Sequence, residues 1–138
     1  MNIDLEKIRE YFYEDCFAEK NGILIDSITE DRVLCSLKLT RHHRNSAGGV
    51  HGGAIFTLAD LAFAVHCNLA HLCGEDASIT VAQSCSISFI KSTKGSRLFA
   101  ESACLSKGRN ISVYRISVKD DLGVLIAEML ANGMTKVI

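Results

Sequence analysis

The sequence lacks proline entirely, and its six cysteines include no C-x-x-C pair. It also lacks internal repeats, low-complexity tracts and linker-like runs, so its 138 residues predict a single domain spanning residues 1–138. The formal net charge of −1 provides none of the strong positive field that binds nucleic acid or anionic membranes. We therefore expect one site in one domain, with no nucleic-acid or membrane partner.

The pattern of cysteines and histidines argues against disulfides and metal sites. The cysteines are dispersed within apolar runs, which favours buried, reduced thiols. The histidines and cysteines show no recognised ligand spacing, so we predict no metal. The first residues, MNIDLEKIREYF, contain no positively charged stretch followed by an apolar run, and we expect a cytoplasmic protein without a secretion signal. The cysteines are Cys16, Cys35, Cys67, Cys73, Cys85 and Cys104.

Hydrophobic periodicity divides the chain into two helices and six strands. An apolar stripe predicts an amphipathic helix near the N-terminus, and alternation with a period of two predicts strands on both sides of a second, strongly apolar helix. Strands joined by the short turns 107–110 and 120–123 must be antiparallel. The order indicates an α+β fold with one helix against an antiparallel sheet. The predicted helices span about 3–19 and 54–72, and the strands 23–28, 33–40, 84–89, 98–105, 111–119 and 124–134.

The second helix is apolar on all sides, which predicts that the sheet wraps it. Its length is close to that of a membrane span, but polar residues inside it and amphipathic strands on both sides argue against one. One of these polar residues is an acid, Asp60, whose ionised form is costly to bury without a partner. Asp60 is therefore either neutralised by a neighbour or required for chemistry.

The run Gly48-Gly49-Val50-His51-Gly52-Gly53 immediately precedes this helix. Glycines leave the unpaired backbone N–H groups of a helix N-terminus open to an anionic ligand. The run lacks the Gly-Lys-Ser/Thr ending of a nucleotide loop, so a developing oxyanion is the better candidate than phosphate. The alternative is that the glycines serve only a tight loop. An oxyanion site combined with a base or nucleophile at Asp60 describes acyl transfer.

The spacing of Gly52 and Asp60 predicts that one chain alone does not complete such a site. Eight residues of helix separate them by roughly 12 Å along the axis, whereas reacting atoms must approach to about 3 Å. A two-fold dimer solves this problem, because it places Gly52 of one helix beside Asp60 of the other.

These residues resemble a known family. Asn45, the His51-Gly52-Gly53 run and the Leu58-Ala59-Asp60 run, followed by Phe63-Ala64 and Asn68, are similar to the hotdog-fold acyl-CoA thioesterases of the phenylacetic-acid-degradation type. The resemblance extends over most of the chain. It implies a hotdog fold, in which a five- to six-stranded antiparallel sheet wraps a long central helix. It also implies a homodimer or a dimer of dimers.

The resemblance assigns roles to individual residues. The Gly52 amide would bind the thioester carbonyl, and Asp60 of the opposing subunit would activate water or attack the carbonyl. Asn45 would orient water or substrate. In the same way His51 would brace the glycine loop, and a polar residue on the strand after the helix, for which Ser84 is the nearest candidate, would assist. The expected substrate-binding residues are His51, Gly53, Phe56, Phe63, Ser84, Gly108 and Arg109.

The substrate is expected to be an acyl-CoA, with a carrier-protein thioester as an alternative, and no cofactor is required. A basic cluster around Lys91 and Arg109 fits the phosphates of coenzyme A, although turn residues of this kind are often only solvated. A hotdog dehydratase or hydratase is a weaker alternative, because its histidine motif contains proline. An acyl-CoA sensor is another, but the chain has no room for a DNA-binding module. The acyl group and the choice between dimer and tetramer stay open.

Overall fold

A computed structural model describes all 138 residues, Met1–Ile138. Its main feature is a six-stranded antiparallel sheet with one long helix against it, as the α+β prediction requires. The helices are α1 (Leu5–Phe12), α2 (Cys16–Lys20), α3 (Gly52–Cys67) and α4 (Leu69–Leu72), with a 3-10 turn at Arg41–His43. The strands are β1 (Ile23–Ile28), β2 (Val33–Lys38), β3 (Ser78–Phe89), β4 (Arg97–Lys107), β5 (Ile111–Asp120) and β6 (Leu125–Val137).

The strands lie in the order β1-β2-β4-β5-β6-β3, and every neighbouring pair is antiparallel. The two predicted hairpins, β4–β5 and β5–β6, are confirmed. Strand β3 does not pair with its successor in sequence; it lies beside β6 and forms one edge of the sheet. Strand β1 forms the other edge, where α1 and α2 pack against it. The two edges therefore differ, because only the β1 edge is covered by helices.

Helix α3 lies across the sheet and contacts all six strands. Leu58, Phe63 and Val65 on this helix are 0–1% exposed, and they form the core with inward-facing strand residues such as Ile116 and Met129. Burying a side chain of this size contributes about 1.5–3 kcal/mol. This burial fixes the helix, and hence the positions of its polar residues, relative to the sheet. No helix in the structure combines the length and the apolar character needed to cross a membrane.

The N-terminal helix differs from its prediction. The single helix expected over residues 3–19 is two helices, α1 and α2, separated at residues 13–15. The reason is local capping: the Asp15 side chain accepts a hydrogen bond from the Ala18 amide and starts a second helix. The break lets α2 turn toward α3, which it contacts directly.

The central helix and the strand after it also begin and end at residues other than those predicted. Helix α3 begins at Gly52 rather than at residue 54, and it ends at Cys67, where Asn68 stops it. The Asn68 side chain donates to the Thr80 carbonyl and accepts from the Thr80 amide, which joins the end of α3 to β3. Strand β3 starts at Ser78, six residues before the predicted start.

The cysteines are all unpaired, as expected, but they are not all buried. Cys35 and Cys67 lie in the core, whereas Cys16 and Cys104 are exposed. Cys16 is the first residue of α2, directly after the break between the two N-terminal helices, and Cys104 lies at an irregularity in the β4–β5 register. The prediction of buried thiols is therefore wrong at these two positions, because local breaks in regular structure turn their side chains outward.

Candidate active site

The N-terminus of α3 has a histidine cap. Nδ1 of His51 accepts a hydrogen bond from the Gly53 amide at 2.9 Å, and the His51 carbonyl accepts from the Ala54 amide. The amide of Gly52, the residue between His51 and Gly53, donates to no acceptor in the protein. One backbone donor at the positive end of α3 is therefore left available to a ligand.

Asn45 organises the loop that leads to this helix. Its Oδ1 accepts hydrogen bonds from the amides of Ala47 at 3.0 Å and Gly49 at 3.1 Å. Gly48 occupies the turn with a φ of 84°, a conformation that favours glycine. Because Oδ1 is committed to the loop, the side-chain NH₂ group is the part of Asn45 that is free to contact a substrate.

Asn45 and Gly52 line the same groove, which has a volume of about 440 Å³. The aromatic ring of Phe89, at the end of β3, forms another wall: a Cβ atom at Gly52 would lie 3.2 Å from Phe89 Cζ. Lys91 follows on the rim of the groove. Sequence reasoning missed the role of Phe89, although the alternation of Cys85, Ile87 and Phe89 along the strand was visible.

Asp60 lies on α3, half-buried and outside this groove. Burial raises the pKa of its carboxyl, and the negative charge of Asp15 raises it further. The carboxyl forms no ion pair with a basic side chain in the chain. Since Gly52 and Asp60 belong to one uninterrupted helix, they are separated by roughly 12 Å along its axis. Within one chain the structure does not bring the two together.

Ser84, the polar residue expected to assist from the strand after the helix, is exposed and bonded to a neighbouring strand. Its Oγ accepts a hydrogen bond from Asn132 at 2.7 Å on the face of the sheet that points away from α3. The next residue, Cys85, packs against the core; burial raises the pKa of its thiol, and the negative charge of Asp60 raises it further. Ser84 and Cys85 therefore face opposite sides of β3.

The two expected groove phenylalanines have different environments. Phe56 is half-buried and lines a second cavity of about 400 Å³, which His51, Gly53 and Phe17 of α2 also line. Phe63 is only 1% exposed, and its ring meets Tyr114 edge-on at a centroid distance of 5.5 Å. Phe63 is thus a core residue of this chain, whereas Phe56 faces open space.

Gly108 and Arg109 lie in the exposed β4–β5 hairpin and do not line the groove at Gly52. The Gly108 amide donates to the Ile111 carbonyl, and a Cβ atom at Gly108 would lie 3.0 Å from that oxygen. Gly108 therefore closes the turn, and the Arg109 side chain is solvated.

His66, the buried histidine of α3, forms hydrogen bonds through both of its ring nitrogens. Nε2 of His66 lies 2.9 Å from the Glu30 carbonyl, which can only accept, so this nitrogen holds the proton. Nδ1 then accepts from the Ser102 hydroxyl at 3.1 Å. Burial lowers the pKa of His66 and favours the neutral ring. His66 is thus bonded at both nitrogens and is not free for catalysis.

Comparison with known proteins places this geometry in a family. Residues 47–127 match the thioesterase superfamily. A putative esterase from Archaeoglobus fulgidus is 31% identical over 131 residues, which cover 94% of this chain and 80% of that protein. The acyl-coenzyme A thioesterase PaaI of Escherichia coli K12 is 32% identical over 108 residues, covering 78% of this chain and 73% of the relative.

Solved structures agree with this placement. The E. coli PaaI protein, from a phenylacetic acid degradation operon, superposes with a TM-score of 0.82 at 25% identity over 94% of this chain and 90% of that one. A thioesterase from Haemophilus influenzae has the same fold, with a TM-score of 0.89 at 18% identity over 99% of this chain and 93% of that one. The chain therefore belongs to the thioesterase superfamily, and it is a PaaI-like thioesterase with the hotdog fold.

Proposed function

We propose that the protein hydrolyses acyl-CoA thioesters at sites formed by two subunits. The observation that supports this best is the unpartnered Gly52 amide, which lies on the same uninterrupted helix as Asp60 but too far from it for both groups to act on one carbonyl. The E. coli relative named as an acyl-coenzyme A thioesterase supports the substrate class. Each site would combine Gly52 and Asn45 of one subunit with Asp60 of the other.

The uncovered edge of the sheet supports the two-subunit arrangement. Strand β3 is twelve residues long and pairs with a neighbour on one side only. Its apolar residues Val81 and Phe89 are 45% and 55% exposed. A long, open edge strand leaves a row of backbone N–H and C=O groups unpaired and favours association with another strand. Pairing of β3 with β3 of a second copy would cover this edge and bring the two α3 helices together, as a two-fold axis requires.

The chemistry follows from the positions of these groups. The thioester carbonyl oxygen would accept from the Gly52 amide and from the NH₂ of Asn45, which stabilise the negative charge that develops on it. Asp60 would take a proton from water as the water attacks the carbonyl carbon. Collapse of the tetrahedral intermediate would break the C–S bond, and the proton held by Asp60 would pass to the leaving thiolate, which yields the acid and the CoA thiol. Direct attack by Asp60, with later hydrolysis of the anhydride, is the alternative route.

The first experiment measures loss of the thioester absorbance over a panel of aromatic, short-chain and medium-chain acyl-CoAs. Asp60→Asn is the matched variant, because it removes the charge and keeps the shape. We expect turnover in the wild type and loss of most of it in the variant, with an unchanged melting temperature. Wild-type turnover in Asp60→Asn would contradict the role of Asp60. Tight binding of acyl-CoA without turnover would instead favour a sensor or a carrier-protein substrate.

A subunit-mixing experiment tests the shared site. Asp60→Asn and Gly52→Val inactivate opposite halves of each site, since valine fills the space over the Gly52 amide. After unfolding and joint refolding, half of the dimers contain one subunit of each kind, and one of their two sites is wild-type. We expect about a quarter of the wild-type activity. Activity no higher than the sum of the separately refolded variants would contradict a shared site.

A further inference from the structure

The loop that leads to α3, residues 43–51, carries Asn45 and ends directly before Gly52. Within this loop the His51 amide donates to the His43 carbonyl at 2.7 Å, and the Asn45 amide donates to the Gly49 carbonyl at 2.8 Å. These bonds close the loop on itself, so that it is held as one unit. The position of Asn45 relative to Gly52 therefore depends on where this unit is attached to the rest of the chain.

The loop has one deeply buried attachment. Between Leu37 on β2 and Ile55 on α3, His43 is the only buried residue, and it is 4% exposed. Asn45 and residues 46–48 of the turn are exposed. Val50 packs against the core but stays partly exposed. The side chain of His43 is thus the main contact of the loop with the protein interior.

Both ring nitrogens of His43 bind backbone groups of other segments. Nδ1 accepts a hydrogen bond from the Thr40 amide at 3.0 Å. Nε2 lies 2.9 Å from the Asn21 carbonyl, which can only accept, so this nitrogen holds the proton. The ring is therefore neutral, in one tautomer, and bonded on both sides.

The two partners of the ring belong to segments that are held independently of the loop. The amide of Leu39, the residue before Thr40, donates to the Ser96 carbonyl at 2.9 Å at the start of β4. Asn21 is the C-cap residue of α2. An apolar side chain at position 43 would fill the same space but would offer no partner to these two backbone groups. The histidine joins the loop to both segments at once.

We propose that His43 is a positioning residue of the hydrolytic site: its ring holds the loop 43–51 so that the Asn45 NH₂ group and the Gly52 amide meet at one carbonyl oxygen. This inference rests on the proposed function, because it needs these two groups as oxyanion donors. Oxyanion donors act at about 2.7–3.1 Å from the oxygen. A displacement of about 1 Å caused by a residue far from the chemistry can lower the rate by about 100-fold.

The test compares kinetics after the same substitution at two buried histidines. His43→Gln keeps a polar side chain but loses the ring that reaches both partners. His66→Gln is the matched control, because His66 is 5% exposed, is also bonded at both nitrogens and lies outside the loop. We expect both variants to melt at lower temperature. Only His43→Gln is expected to lose about tenfold or more in kcat, with KM within about twofold of the wild type, since the donors stabilise the transition state.

A double-mutant cycle separates positioning from a general loss of stability. Asn45→Asp removes the NH₂ donor whose place His43 is proposed to set. In this background we expect His43→Gln to lower kcat by about threefold or less, because part of its effect is already lost. A role of His43 in stability alone would make the two losses independent, so that they multiply. His43→Asn keeps an acceptor near the place of Nδ1 and replaces His43→Gln in the cycle should that variant fail to fold.

Three results would overturn the role of His43. They are wild-type kcat in a folded His43→Gln enzyme, an equal loss of kcat in His66→Gln, and independent losses in the double variant. Failure of the proposed function is distinguishable from all three, because it appears as wild-type turnover in Asp60→Asn or as an absence of turnover in the wild type.

Discussion

The first residue of α3 and the last residue of β3 are in direct contact: a Cβ atom at Gly52 would lie 3.2 Å from Cζ of Phe89. The Phe89 ring thus covers the glycine whose amide is free. This contact joins the open edge strand to the proposed oxyanion site. It also explains why glycine rather than alanine suits the start of the helix.

Gly52→Ala keeps the backbone donor but adds a methyl group beside it. The Phe89 ring is 55% exposed and is able to move, so we expect the variant to fold. We expect kcat/KM to fall by about tenfold, or about 1.4 kcal/mol, because the methyl group narrows the space for the carbonyl. The Gly52→Ala/Phe89→Ala double variant removes the ring contact and is expected to stay slow. An unchanged kcat/KM in the single variant would contradict this account.

Two substitutions at Asn45 separate its two roles. Asn45→Asp keeps an acceptor for the amides of Ala47 and Gly49 but loses the NH₂ donor. We expect it to keep the wild-type melting temperature and to lose about 100-fold in kcat, as removal of an oxyanion donor typically does. Asn45→Ala loses both roles, so its stability falls by about 1 kcal/mol as well. Full activity in a well-folded Asn45→Asp enzyme would show that the asparagine serves only the loop.

His51 is expected to affect stability through its cap on α3. His51→Ala leaves the Gly53 amide without its acceptor and is expected to lower the free energy of unfolding by about 0.5–2 kcal/mol. His51→Asn, which restores a capping oxygen, is expected to recover most of this loss. Urea unfolding followed by circular dichroism measures both variants. Equal stability of His51→Ala and the wild type would exclude a capping role.

Because His66 is buried, we expect the free energy of unfolding to fall in acid. Its pKa is lowered in the folded state, so below the unfolded-state pKa of about 6.5 the unfolded chain binds a proton that the folded chain does not. Stability is therefore unaffected by this residue above pH 6.5 and falls with decreasing pH, by at most about 1.4 kcal/mol per unit. Unfolding free energies at pH 7.5 and 5.0 are expected to differ less in His66→Gln than in the wild type. Identical pH dependence in both would exclude His66.

Much of the fold was predictable from hydrophobic periodicity. The limits of β1 were predicted to the residue, and both hairpins after β4 and β5 were predicted because their turns are short. The start of β3 was not predicted, since residues 81–84 are exposed on both faces and do not alternate. The prediction of a single N-terminal helix was wrong because the Asp15 side chain accepts a hydrogen bond from the Ala18 amide, which starts a second helix instead of continuing the first.

The sequence by itself determined the chemical elements of the proposed site: an asparagine, a histidine-glycine run at a helix start, and an acid eight residues further along that helix. These follow from local spacing along one chain. The tertiary structure decided which face each strand residue occupies. The register of β3 against β6 shifts by one residue between Ala82 and Ser84. One extra residue reverses the side-chain direction of the residues before it relative to those after it, and pairing with β6 decides where it lies; the alternation of Cys85 and Ile87 after it was already visible in the sequence.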